Sequence, residues 1–492
     1  MSAATDSSRW IALVVLCTGM LMIILDSAIV NVALPPIQSD LGFSQSNLAW
    51  VVNAYLIPFG GLLLLAGRLG DLIGRRTMFL TGLVVFTAAS LLCGLAGSQE
   101  VLIGARLLQG AGGALTSSVI LGIIITMFTQ PGEQAKAIGV FSFVASAGAS
   151  IGLLAGGFLT QGIDWHWIFF VNVPIGIATG LLALRYVERD EGIGLHAGAD
   201  VAGGALVTSS LMLGVYTILE TANYGWGSAR TLGLGALALA LLVAFVVRES
   251  RTANPLVPLH IFRSREIAGA NLVQVLTVAG IFGMFFLGVL YLQRVLGYGA
   301  IETGLAFLPV SLLIGILSLG FSARLSQRYG AVAVLLPGLA LITVGLFAFT
   351  RVPVDGSYVS DLLPVMIPLG LGAGLFFPAL TTLAVSGVAP NEAGLASGLI
   401  NTSLQVGGSI GLAVLATLAA TRSEDLLANG DPTPEALVGG YQHAFLIAAV
   451  LVIAAMVVAL AILRGGNQRG AEQEETARRA DFTGEPAYSE AA

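Results

Sequence analysis

Short polar turns divide this chain into apolar runs of about 20 residues, the length a helix needs to cross a bilayer. The runs lie near 10–34, 47–67, 77–97, 100–127, 137–161, 165–186, 199–220, 230–248, 267–292, 302–323, 331–350, 361–384, 394–420 and 442–463. Lipid offers no partner to a backbone amide, so a segment of this kind must satisfy its own hydrogen bonds as a helix. The expected fold class is therefore all-α integral membrane, with fourteen transmembrane helices. Composition agrees, since 56% of residues are hydrophobic and only 10% are charged, against roughly 25% charged in soluble domains. The net charge of -6 comes with no basic patch, so no nucleic-acid partner is expected. Cys17 and Cys93 both fall in apolar runs and imply no disulfide framework. The first apolar run is too long for a signal-peptide core and reads as an uncleaved first span.

Orientation follows from lysine and arginine, which are retained on the cytoplasmic side. With the N-terminus inside, alternation over fourteen spans leaves only Arg230, Arg294, Arg351 and Arg422 outside, and Arg106 within a span. Both termini are then cytoplasmic, and the protein is expected in the cell membrane. The polar tail 464–492 reads as disordered. No Gly-x-x-x-x-Gly-Lys-Ser/Thr loop occurs, so no nucleotide is expected to drive the protein. No metal or other cofactor is expected either. Nothing in the sequence speaks to oligomeric state.

The chain also repeats itself. Pro131-Gly-Glu-Gln-Ala-Lys-Ala-Ile-Gly139 is echoed by Pro390-Asn-Glu-Ala-Gly-Leu-Ala-Ser-Gly398, and Gly110-Ala-Gly-Gly-Ala114 by Gly370-Leu-Gly-Ala-Gly374. Repeats of this kind mark transporters built from related halves. The expected organisation is a six-helix bundle over 1–190, two inserted helices with linkers over 191–265, and a second six-helix bundle over 266–463. The halves differ in charge, because the position that matches Arg106 is near Met366.

Two charges inside spans stand out. Asp26 lies in the first span, and an intramembrane acid is expensive enough to suggest a function. Burial penalises its charged form, which lets it bind and release a proton. Arg106, in the fourth span, keeps its proton and so must be paired or hydrated. At 1.5 Å per residue, Asp26 sits about 13 Å and Arg106 about 9 Å below the outer surface. The two are expected to communicate, directly or through Asn31 or Gln109, and to couple proton binding to transport. Asn31, Gln109, Ser397, Asn401 and Gln405 are the candidates for lining a substrate cavity, the last three sharing a helix face at i, i+4 and i+8. Gly148, Gly152, Gly156 and Gly157 place small residues along one helix and are read as a packing surface. Trp165 and Trp167 are read as interface anchors, and Glu302 as a solvated acid at the outer mouth.

The turn between the second and third spans carries a signature. Gly67-Arg-Leu-Gly70-Asp71-Leu-Ile-Gly74-Arg75-Arg76 resembles the G-x-L-x-D-x-x-G-R-R loop of the major facilitator superfamily, and Ala323-Arg-Leu-Ser-Gln327-Arg-Tyr-Gly330 is a worn copy of it. Trp165-His-Trp-Ile-Phe-Phe-Val-Asn172-Val-Pro174 is similar to the W-R-W-x-F-x-x-N-x-P stretch of fourteen-span drug exporters. Gly148–Gly157 resembles the G-x-x-x-G-P-x-x-G-G antiporter motif, with Leu153 at the proline position. Together these resemble the drug:proton antiporter family of the EmrB/QacA type. That resemblance implies a conformational latch at Gly67, Gly70, Asp71, Gly74, Arg75 and Arg76, and alternating access between two rocking bundles. It implies proton-driven efflux of small hydrophobic or cationic toxic compounds or antibiotics across the bilayer, with no enzymatic chemistry. A dedicated exporter of a single metabolite, lipid or peptide, and a receptor or scaffold that transports nothing, are the alternatives.

Overall fold

A computed structural model describes residues 6–194, 198–386 and 393–463. The tail 464–492, expected to be disordered, lies outside the described residues, as do residues 390–392 at the start of the repeated stretch. The first half comprises α1 (Asp6–Leu41), α2 (Trp50–Ile73), α3 (Arg75–Gly94), α4 (Gln99–Met127), α5 (Pro131–Gly162), a short α6 (Trp167–Phe170) and α7 (Asn172–Tyr186). Next come α8 (Val201–Tyr224) and α9 (Ala229–Glu249). The second half comprises α10 (Arg265–Leu290), α11 (Ala300–Ile316), α12 (Ser322–Tyr329), α13 (Ala331–Phe349), α14 (Leu363–Ser386), α15 (Ala393–Ala428) and α16 (Thr433–Val458). Among the described residues, 12 helices are long and apolar enough to cross a membrane, and shorter apolar stretches occur at Ile151–Gly162 and Ala300–Ile316.

Local chemistry sets the helix ends. The Ser98 side chain accepts from Val101 N at the start of α4, and Ser264 from Ile267 N at the start of α10. Gly74, at φ +98, and Gly330, at φ +87, turn α2 into α3 and α12 into α13 through a backbone region that a side chain would strain.

Each half packs to the same plan. In the first, α4 lies against α2 and α3; in the second, α14 lies against α11 and α13. A methyl group at Gly110 would stand 2.2 Å from the Tyr55 carbonyl oxygen, and one at Gly112 3.0 Å from that of Gly82. Their counterparts meet the equivalent partners: Gly370 would reach Val310 O at 2.9 Å and Gly372 would reach Gly338 O at 2.7 Å. Small residues thus let helix backbones touch where lipid gives no hydrophobic driving force between helices.

The bundle has two distinguishable ends: the basic end, with the α2–α3 turn, and the far end. At the far end the halves are joined by hydrogen bonds. Gln293 Nε2 donates to Val32 O at 3.0 Å, and Ile301 N donates to Gln161 Oε1 at 3.1 Å. Gly157 of α5 lies against the Ala300 carbonyl of α11. Nearer mid-depth, α2 meets α15 where Gly60 accommodates Gln405. Helix α8 packs on both α2 and α15, so it spans the seam between the halves, and α9 packs on α8. The outer side of α9 exposes Leu232, Leu237, Leu239 and Val243, as a lipid-facing helix does.

One expectation is corrected here. Trp165 is not an interface anchor: it is 3% exposed, and its Nε1 donates to Asp40 Oδ2 at 3.0 Å. Trp165 lies just before the short α6, and Trp167, at the start of α6, is the exposed tryptophan of the two. Glu302 is exposed, as a solvated acid is, and its Oε2 also accepts from Gly299 N at 2.9 Å, capping α11.

Candidate functional site

A polar network lies inside the first bundle. Asp26 on α1 and Arg106 on α4 are both fully buried. Arg106 Nη1 donates to Asp26 Oδ2 at 2.5 Å and to Gln109 Oε1 at 2.8 Å, while its Nε donates to Val51 O at 3.0 Å. Gln109, one turn along α4, donates from Nε2 to Asp26 Oδ1 at 2.8 Å and to Ser90 Oγ at 3.1 Å. Asn172, at the start of α7, donates from Nδ2 to Asp26 Oδ1 at 2.9 Å and to Ser90 Oγ at 3.0 Å. Ser90 on α3 donates onward to Phe169 O at 2.9 Å. The guanidinium carbon of Arg106 stands 4.4 Å from the centre of the Tyr55 ring, a favourable cation–π position.

The donor directions matter. Asp26 accepts from Arg106, Gln109 and Asn172, which is the environment of a charged carboxylate. Protonating Oδ2 would set an O–H against an N–H donor of Arg106, so the pair would have to part. The network has slack for this, since Arg106 Nη2 and Asn172 Oδ1 are buried without a hydrogen-bond partner. Breaking a buried pair without a substitute partner costs several kcal/mol, enough to favour a different helix arrangement. Neither charge is exposed in this conformation, so solvent reaches Asp26 only after the helices move.

The structure sorts the other sequence candidates. Gln109 is the polar neighbour that joins the charges; Asn31 is not, because its amide donates to Ser27 O and Ala28 O of its own helix. Gln109 is fully buried in the network and so lines no cavity here. Asn401 is exposed, Gln405 is half-buried against α2, and the side chain of Ser397 lies outside the described residues. Gly148, Gly152 and Gly156 seat α5 on α1, against Ile24, Leu25 and Ile29, and Gly157 seats it on α11. Sequence reasoning missed Asn172 and Ser90. The signal for Asn172 was present, as the asparagine of the tryptophan-rich stretch. Ser90 stood alone in an apolar helix and carried none.

At the basic end the latch turn is tied down. Arg75 bonds Asp71 through Nη2 at 3.0 Å and reaches Gly122 O through Nη1 at 3.2 Å. Gly70 lies so close to α4 that a methyl group there would stand 2.4 Å from Val119 Cγ1; Gly67 has more room. Asp190, beyond α7, accepts from the Arg75 and Arg76 backbone amides at 2.6 and 3.0 Å, capping α3. Ile193 N and Gly194 N then donate to Asp71 O and Leu72 O, both at 3.0 Å. The strand of chain after α7 is therefore laid along the turn, a contact the sequence did not suggest.

Comparison with known proteins accords with this geometry. Residues 16–412 match the model of the Major Facilitator Superfamily. The chain is 39% identical over 456 residues, 92% of this chain and 90% of the relative, to a puromycin resistance protein of Streptomyces alboniger. It is 36% identical over 457 residues, 92% of each chain, to a cephamycin export protein of Amycolatopsis lactamdurans. It is 35% identical to a tetracenomycin C resistance and export protein of Streptomyces glaucescens, over 85% of this chain and 77% of that one. Its fold is similar to that of a bacterial homologue of the lysosomal transporter Spinster, in an inward-facing, unoccupied conformation. The TM-score is 0.65 at 17% identity, covering 94% and 99% of the two chains. With its long apolar helices, the chain is a multi-pass membrane transporter rather than an enzyme, and it belongs to the Major Facilitator Superfamily.

Proposed function

We propose that this protein exports small antibiotic-like compounds, hydrophobic or cationic, across the cell membrane in exchange for protons. The observation that carries the proposal is the fully buried Asp26–Arg106 pair with its three-donor cradle. It supports the following cycle. Asp26 is charged and locked to Arg106 in the conformation described. Opening admits a proton, which releases Arg106 to its remaining partners, Val51 O, Gln109 and the Tyr55 ring. The loosened helices favour the opposite-facing state, and loss of the proton restores the lock. Fourteen spans complete this reading, with α5 and the α11–α12 rod added to the twelve spans already counted. The division into bundles 1–190 and 266–463, with an inserted pair between them, and cytoplasmic termini belong to the same proposal.

A dedicated exporter of one compound is the second reading. What favours it is that three relatives carry the name of a single antibiotic each.

The test uses protein in liposomes with an imposed pH gradient and an internal pH dye. Several lipophilic cations and the three named antibiotics are added one at a time to wild type and Asp26→Asn. Proton movement driven by several compounds in wild type only is the expected result. A response to one compound would favour the dedicated exporter. Equal movement in Asp26→Asn would remove Asp26 from the coupling path.

A further inference from the structure

We propose that Asp200 and Glu249 share one proton, forming a second proton-binding site at the basic end of the inserted helices α8 and α9. Asp200 precedes α8 and Glu249 ends α9, and the two residues are 2% and 3% exposed. Each uses one carboxylate oxygen fully. Asp200 Oδ1 accepts from Gly203 N at 2.8 Å and from Arg248 Nε at 2.6 Å. Glu249 Oε2 accepts from Val257 N at 2.8 Å.

The remaining oxygens, Asp200 Oδ2 and Glu249 Oε1, are buried and have no hydrogen-bond partner. They converge on one point: a methyl group added at Gly203 would lie 2.6 Å from Asp200 Oδ2 and 2.8 Å from Glu249 Oε1. Two ionised carboxylates cannot satisfy each other, because neither oxygen can donate. One proton removes the conflict. It makes Glu249 Oε1–H a donor to Asp200 Oδ2 and leaves one negative charge. Arg248, on the same helix as Glu249, already compensates that charge.

On α2, Arg68 Nε donates to Gly198 O, just before α8, at 3.3 Å. Among the described residues, the ion pair at this site is the one between Arg248 and Asp200, and Glu249 accepts from a backbone amide. Like charges in one buried site cannot both ionise at ordinary pH. The shared proton fastens the start of α8 to the end of α9 and to the connector that follows. Gly198, just before α8, accepts from Arg68 of α2, and residues 193 and 194 bond the latch turn.

The experiment uses the full chain in detergent, with isotope-labelled glutamate, so that Asp26 is silent. Difference infrared spectroscopy at about pH 7 should show the carbonyl stretch of a protonated glutamate. Glu249→Gln should lose that band. Asp200→Asn should lose it too, because an amide donor lets Glu249 ionise; this variant decides if the first does not fold. Thermal unfolding adds a second readout. The wild-type midpoint should fall by about 2–4 °C as pH rises from about 6 to about 9, and Glu249→Gln, with its own N–H donor, should not share the fall. No protonated glutamate in wild type, or the same pH slope in Glu249→Gln, would overturn the proposal. So would a rise in the wild-type midpoint on adding sodium or magnesium at about pH 8, absent in Glu249→Gln, since the pair would then hold a cation.

Discussion

At Arg106 the first bundle buries a guanidinium; at Met366, the position the repeat aligns with it, the second bundle buries a thioether. Four residues further on, the two helices behave alike. Gly110 and Gly370 each press against a carbonyl of the second helix of their half, and Gly112 and Gly372 against the third. The second bundle thus serves as an internal control. It reaches the same helix packing with no buried ion pair described in it, so the packing does not require one. The Asp26–Arg106 pair, its amide cradle and the aromatic ring over it are additional to the fold, and their cost is best explained by use.

That contrast can be broken from either side. The largest effect is expected from Arg106→Met, which copies the second bundle into the first. It strands Asp26 among apolar groups, and thermal or denaturant unfolding in detergent should show a loss of about 3–5 kcal/mol, with export abolished in the liposome assay. If Arg106→Met unfolded like wild type, the pair would not be fully desolvated and the contrast would fail. Next is Asn172→Ala, which removes two donated bonds and should cost about 1–3 kcal/mol. Its export should shift toward more alkaline conditions or disappear, whereas a purely structural asparagine would alter only the melting point. Asp190→Ala removes the cap on α3 and should cost about 1 kcal/mol; proteolysis after α7 should quicken, with proton coupling retained. The smallest effect should come from Met366→Leu, a volume-conserving change in the uncharged half, at no more than about 1 kcal/mol. A large effect there would mean that the second bundle has chemistry of its own at that depth.

Most of the fold was legible because bilayer-spanning helices announce themselves through length and apolarity, which are local properties. The pairing of Asp26 with Arg106 was legible for a related reason: counting rise per residue from each span end gives depth, and depth is shared across helices. What the count cannot give is rotation about the helix axis. That is why Asn31 and Gln109 looked equivalent as go-betweens, although only Gln109 faces the pair. Trp165 misled for the same reason, since depth near a span end suits an interface, whereas its rotation buries it and gives its indole Asp40 as a partner. The clasp of 190–194 on the latch turn was hidden because every donor in it is a backbone amide, and backbone amides carry no sequence signature.

The complete burial of Asp26 also has an electrical meaning. A carboxylate that water could reach from both faces would be a wire for protons, and every copy in the membrane would leak. Sealed between α1, α3, α4 and α7, this one conducts nothing while the helices hold still. The apolar walls around it act as insulation, and no proton reaches it until the helices move.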